Sequence, residues 1–240
     1  MLLLFLSVPA PGANLGVYSI LGASRGCRLA AFEPLSENIL RLKQSLDGNG
    51  WGDRALLFKH AVGKMHATVR IGFRPSNPGA SSLGGGGDDV EVIDQITIDN
   101  LLLGKNPPKF KDHDLLGLPP LVGKYINFVK IDTEGYDTAV FDGALGTLME
   151  GRVPHILIEF TPGDAQGTAG CDSWNFMRLI YANKYRMYEF SRAYPLKHLL
   201  ESGLQLALEG KGRRVFESWI ISDEAAVNLM AMGLLQPFAT

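Results

Sequence analysis

Three short apolar runs in this chain end in or carry acids: Glu33 follows RLAAF, Asp132 and Glu134 follow INFVKI, and Glu159 lies inside HILIEF. A carboxylate can accept hydrogen bonds from hydroxyls, act as a general base or hold a cation, and carboxylates placed together raise one another's pKa unless a cation joins them. A fourth feature is the pattern Gly12-Ala13-Asn14-Leu15-Gly16. Glycines so spaced let the chain turn sharply into a helix and let a ligand lie against the backbone, where the helix N-terminus favours a carboxylate or phosphate. Glu33 stands 21 positions beyond Gly12, where an acid ending a second strand meets the two hydroxyls of a ribose.

The glycine spacing narrows the ligand. GANLG is G-x-x-x-G, whereas the dinucleotide fingerprint is G-x-G-x-x-G, and losing the middle glycine removes the close approach to a pyrophosphate. That points away from NAD and FAD and toward a cofactor without a pyrophosphate, such as S-adenosylmethionine. Methyl transfer from such a cofactor is an in-line displacement that needs positioning, exclusion of water and a general base. Asp132, Glu134 or a histidine could be that base, and the cluster Asp132, Glu134 and Glu159 could equally hold a divalent ion that orients a hydroxyl.

Each residue also has a plainer reading. Glu33 can be a surface acid, Asp132 and Glu134 a helix cap and a first-turn acid, and Glu159 a strand-end acid paired with Lys130 or Arg152. His60 and His155 lie in or beside apolar strands, where a packed, hydrogen-bonded histidine is the default, and His113 falls in a loop-like stretch.

The elements that must position these residues alternate between short apolar runs and amphipathic segments, the pattern of βα repeats around a mostly parallel sheet. Strands are expected at 2–9, 28–33, 55–63, 125–132, 155–160, 186–191 and 214–222. Helices are expected at 15–24, 36–50 with Ser36 as cap, 137–151, and near 172–183, 194–204 and 223–233. This is a doubly wound, mostly parallel seven-stranded α/β sheet in one domain spanning 1–240, with its ligand at the carboxyl ends of the central strands. Residues 64–124 interrupt it: 67–73 and 90–98 alternate like hairpin strands, NPGASSLGGGGDD between them reads as a glycine-rich loop, and 105–124 is a Pro-rich surface insertion.

Bulk properties set the bounds. The chain has 240 residues, 46% hydrophobic and 20% charged, enough for one large core. Lys and Arg number 23 against 25 acids, so no basic field favours nucleic acid. The two cysteines, Cys27 and Cys171, suit unpaired thiols in a reducing, cytoplasmic setting. The leader MLLLFLSVPAPGA has no Lys or Arg ahead of its apolar run and continues into the glycine pattern, so it reads as part of the fold, and no run suits a membrane span.

The blocks GANLGVYSI, AFEPLSENILRLKQSLDGNG, HAVGK, NPGASSL, TIDNLL, FVKIDTEGYDTAVFDGA and PHILIEF, in that order, resemble the FkbM family of S-adenosylmethionine-dependent methyltransferases, over roughly residues 12–160. The resemblance implies a class I methyltransferase fold and an O-methyltransferase acting on a hydroxyl of a small molecule or sugar. Gly12, Asn14 and Gly16 would line the methionine moiety, Glu33 would accept the ribose hydroxyls, and His60 and Ala61 would border the adenine. Asp132 would sit nearest the sulfonium and acceptor, with Glu134 and Glu159 beside it. The chain departs from the family at its first strand: Ala10 replaces an Asp, and Pro9 and Pro11 remove two backbone donors. The alternative implied is a non-catalytic or truncated methyltransferase-fold protein with an impaired cofactor site.

Overall fold

The computed structural model describes residues 2–5, 16–74, 77–83, 89–104, 125–133, 136–160, 173–189 and 216–222. Expected helices at 194–204 and 223–233 lie outside the described residues.

One sheet holds seven strands: β1 (Leu2–Phe5), β2 (Leu29–Phe32), β3 (Ala55–Phe58), β8 (Phe128–Ile131), β9 (His155–Phe160), β10 (Tyr185–Glu189) and β11 (Phe216–Ser222). Their spatial order is β10-β11-β9-β8-β1-β2-β3. β2, β3 and β8 are buried on both faces, and apart from Lys130 every residue in them is apolar. Leu29 and Ala31 of β2, Ala55 and Leu57 of β3, Phe128 and Leu157 pack with Ala23 of α1 (Val17–Ser24) and with Leu42 and Leu46 of α2 (Ser36–Gly48). The alternate residues Ala30, Phe32, Leu56, Phe58, Val129 and Ile131 face the opposite cluster. There they meet α3 (Ile98–Leu103), α4 (Asp137–Asp142), α5 (Leu145–Met149) and α6 (Ser173–Ala182), so helices cover both faces. Phe32 and Phe58 stack at 4.6 Å between centroids, fixing β2 against β3.

The sheet is mixed, which corrects the expectation of a mostly parallel one. Of its six adjacent pairings only β2 with β3 and β8 with β9 are parallel. The unexpected reversal is β1. Leu2 lies opposite Phe32 and Ile131, while Phe5 lies opposite Leu29 and Phe128, so β1 runs against both neighbours. It ends at Phe5, at the end of the sheet away from Glu33 and Asp132. A strand expected to run through residue 9 toward the end that carries Glu33 and Asp132 instead starts at that end and runs away from it.

Three further boundaries differ. The expected strand 55–63 divides: after β3, β4 (Ala61–Val62) leaves the main sheet and pairs in parallel with β7 (Asp89–Ile96). The hairpin becomes a second sheet of order β4-β7-β5-β6, with β5 spanning Ala67–Arg74 and β6 spanning Asn77–Leu83. Half of the expected glycine-rich loop is thus strand β6, which the small, polar composition of NPGASSL concealed; 84–88 lies outside the described residues. The expected helix 137–151 breaks at Gly143. A Cβ there would run into the Gly63 carbonyl, so this close approach needs glycine. Asp99 of α3 then starts α5 anew, accepting from the Gly146 amide at 2.8 Å, the Thr147 amide at 2.7 Å and the Thr147 hydroxyl at 2.7 Å.

Candidate active site

The carboxyl ends of β2 and β8 flank β1, so Glu33 and Asp132 stand two strand spacings, roughly 10 Å, apart. Glu33 is buried, and its backbone amide donates to Phe58 O at 3.0 Å, which sets it where the main sheet hands over to the second one. Its Oε1 accepts from the Leu35 amide at 3.1 Å and from Asn38 Nδ2 at 3.2 Å. Burial pushes the Glu33 carboxyl above its ordinary value, and the bonds from Leu35 and Asn38 offset part of that rise. Asn38, on the first turn of α2, is itself buried, and among the described residues its Oδ1 has no hydrogen-bond partner.

Residues 33–36 are also held from the second sheet. Glu91 of β7 accepts from the Ser36 amide at 3.1 Å and the Ser36 hydroxyl at 2.7 Å, and pairs with Lys59 at 3.2 Å. Ser36 was expected to cap its own helix. It is instead the first helical residue, and a carboxylate from a strand 55 positions later caps it. Burial pushes the Glu91 carboxyl up, but the Ser36 hydroxyl, the Ser36 amide and Lys59 outweigh it and hold it below its ordinary value. His60 is buried directly after Lys59, at the same end as Glu33. The Ala61 side chain is committed to a cluster with Leu35, Ile71 and Ile93.

Gly16 precedes α1 with φ 91°, a left-handed conformation, and a Cβ there would meet Leu42 Cδ1. Its identity is therefore required by the packing of α1 on α2. Gly12 and Asn14 lie outside the described residues, as do Pro9, Ala10 and Pro11.

Asp132 follows β8 and lies 3.5 Å from Lys130 Nζ, and Lys130 in turn sits 6.0 Å from the ring centroid of Tyr18 in α1. Next to it, the turn into α4 is closed by Asp137, whose Oδ1 accepts from the Thr133 amide at 2.8 Å and its hydroxyl at 3.0 Å. Burial raises the Asp137 carboxyl above its ordinary value, the bonds from Thr133 counter it, and the charge of Asp132 adds to the rise. Glu134 lies outside the described residues. The last registered pair of β8 and β9 is Ile131 with Ile158, so Asp132 and Glu159 are each one position further on; the Glu159 side chain lies outside the described residues. Lys130 pairs with Asp132, and Arg152 pairs with Glu150 at 2.6 Å. Among the described residues no three His, Cys, Asp or Glu side chains group as a metal site. Nor is any described helix long and apolar enough to cross a membrane.

Two acid-bearing strand ends and a helix that starts at a glycine thus make up the candidate site. Sequence reasoning missed Asn38, Glu91 and Asp137. Asp137 had a signal, since Thr133 and Asp137 stand four apart at a helix start, whereas Glu91 had none because its partner is distant in sequence.

The chain matches the methyltransferase FkbM domain over residues 12–188 and belongs to that family. No match was found among curated proteins. Among solved structures, the chain is similar to a methyltransferase FkbM from Methylobacillus flagellatus KT, at 15% sequence identity and a TM-score of 0.48 over 88% of this chain. The chain spans 41% of the length of that protein.

Proposed function

We propose that the chain is a single methyltransferase-like domain that uses S-adenosylmethionine to methylate a hydroxyl of a small molecule or sugar. The observation that carries this reading is the carboxyl end of β2. Glu33 is a buried carboxylate whose two donors both address Oε1, and Asn38 Oδ1 beside it is a buried acceptor without a donor among the described residues. Two acceptors waiting for two donors suit a ribose diol. The cofactor, when bound, supplies an electrophilic methyl group on a positively charged sulfur.

The chain's own residues do the rest. Glu33 and Asn38 hold the ribose, and the backbone at His60 and Ala61 borders the base. Gly16 opens the α1 N-terminus toward the carboxylate of the methionine moiety, together with Gly12 and Asn14. Asp132 would lie on the acceptor side of the bound cofactor and would take the proton of the acceptor hydroxyl, with Glu134 and Glu159 as the neighbouring acids. A divalent ion at these acids remains the competing way to orient the hydroxyl. Titration calorimetry with S-adenosylmethionine tests the reading: saturable binding is expected, and no heat at about 1 mM cofactor would overturn it. Glu33→Ala should weaken binding at least tenfold.

A second reading, a methyltransferase fold with an impaired cofactor site, has one observation in its favour: the reversed β1 does not lead directly into the glycine turn. Replacing Ala10 with Asp and Pro11 with a non-proline should tighten cofactor binding if that reading holds, and unchanged affinity would count against it.

A further inference from the structure

Lys130 is buried in the middle of the main sheet, and the mechanism above gives it no task. It sits in β8 on the face of Phe128, level with Leu157 of β9, on the side of the sheet that packs against α1 and α2. An ammonium placed there gives up its hydration, and only an anion at close range offsets that. A methionine would fill the same space without a charge, so packing alone does not account for a lysine. What does account for it is the pair of contacts its head makes, to Asp132 at 3.5 Å and to the Tyr18 ring at 6.0 Å. The side chain of Lys130 is 6% exposed and that of Asp132 is 23% exposed, so the carboxylate reaches the open end of the strands while the ammonium anchors it from below.

We propose that Lys130 is a positioning residue: it fixes the Asp132 carboxylate at the acceptor side of the cofactor site and, through Tyr18, ties it to the helix that opens at Gly16. The proposal rests on the reading of the chain as an S-adenosylmethionine-dependent enzyme. Asp132 stands next to a buried carboxylate, Asp137, and the two repel. The ammonium offsets that repulsion and holds the carboxylate at the end of β8. Because Tyr18 belongs to the first turn of α1, one contact chain joins the glycine turn to the acceptor-side acid.

The test uses the full chain with Lys130→Met, Lys130→Arg, Asp132→Asn and the double variant Lys130→Met/Asp132→Asn. In urea unfolding, Asp132→Asn should be the least stable, because it leaves the more deeply buried ammonium without its anion, and adding Lys130→Met should restore part of the loss. A double variant no more stable than Asp132→Asn would overturn the pairing. Calorimetry with S-adenosylmethionine and S-adenosylhomocysteine then reads the role, since only the former carries the positive sulfur that a fixed carboxylate favours. Lys130→Met should shift the ratio of the two affinities about tenfold toward S-adenosylhomocysteine, and Lys130→Arg should keep the wild-type ratio. A merely structural role would weaken both ligands equally, and an unchanged ratio in Lys130→Met would overturn the positioning role. Failure of the wild type to bind either ligand would overturn the cofactor reading and this role with it, while the unfolding cycle would still decide the pairing.

Discussion

Glu33 holds its charge at a disadvantage, because burial raises its carboxyl above the ordinary value despite the bonds from Leu35 and Asn38. A group whose folded pKa is raised contributes stability that is full below its unfolded pKa and lost as pH rises through the folded one. Glu33→Gln keeps an acceptor for Leu35 and Asn38 and removes the charge. Its melting temperature should therefore exceed that of the wild type near pH 8, with the gap closing below about pH 4, while cofactor binding weakens. Thermal melts across that range check the sign; a variant less stable at pH 8 would contradict it. Gly16→Ala should destabilise by about 1–2 kcal/mol from the left-handed backbone alone, with further loss where the new methyl meets Leu42, as read by urea unfolding. Glu33 and Asp132 were legible in the sequence because each ends a short apolar run, and a strand end is where a folded α/β sheet presents its ligands. Asn38 and Lys130 were not, because their roles depend on what burial leaves unpaired or paired, and burial has no local sign in the sequence.

Among the elements, α2 carries the clearest lesson. Its core face was readable from the spacing of Leu42 and Leu46, but its first turn is held by Glu91 from another sheet, a contact that no local pattern announces. The folded pKa of Glu91 is depressed, so the stability it contributes is present above its unfolded pKa and lost as pH falls through the folded one. Glu91→Gln should lower stability by about 1–2 kcal/mol at neutral pH, with the difference from wild type shrinking below about pH 4. If the second sheet steadies residues 33–36 as described, the same variant should also weaken cofactor binding, which calorimetry would detect. Asp99→Ala should cost about 2 kcal/mol or more, since it strips three donors from one carboxylate at the start of α5. β6 was misread for a physical reason: NPGASSL lacks the β-branched and aromatic residues that mark a strand, and its pairing with β5 carries an irregularity between Gly72 and Arg74.

At the scale of the molecule, an α/β fold with seven strands in the main sheet and an inserted unit was legible from the alternation of apolar runs. The direction of β1 was not. An apolar run carries no polarity, and LLLF satisfies the slot between β2 and β8 equally well in either sense. Its backbone is hydrogen-bonded to strands on both sides, so Leu4→Pro removes a donor from the centre of the sheet and should destabilise the whole chain, not merely fray an edge. Hydrogen exchange that left the neighbouring amides of β2 and β8 as protected in Leu4→Pro as in wild type would contradict that placement. The same strand also bears on how the molecule is made. Leu2 pairs with Ile131, roughly 130 positions later, so the middle of the sheet is a contact of very high sequence separation. During synthesis β2 can cover one edge of β1 early, while the other edge stays open until β8 has left the ribosome. The closing of that edge is the step expected to limit the rate of folding.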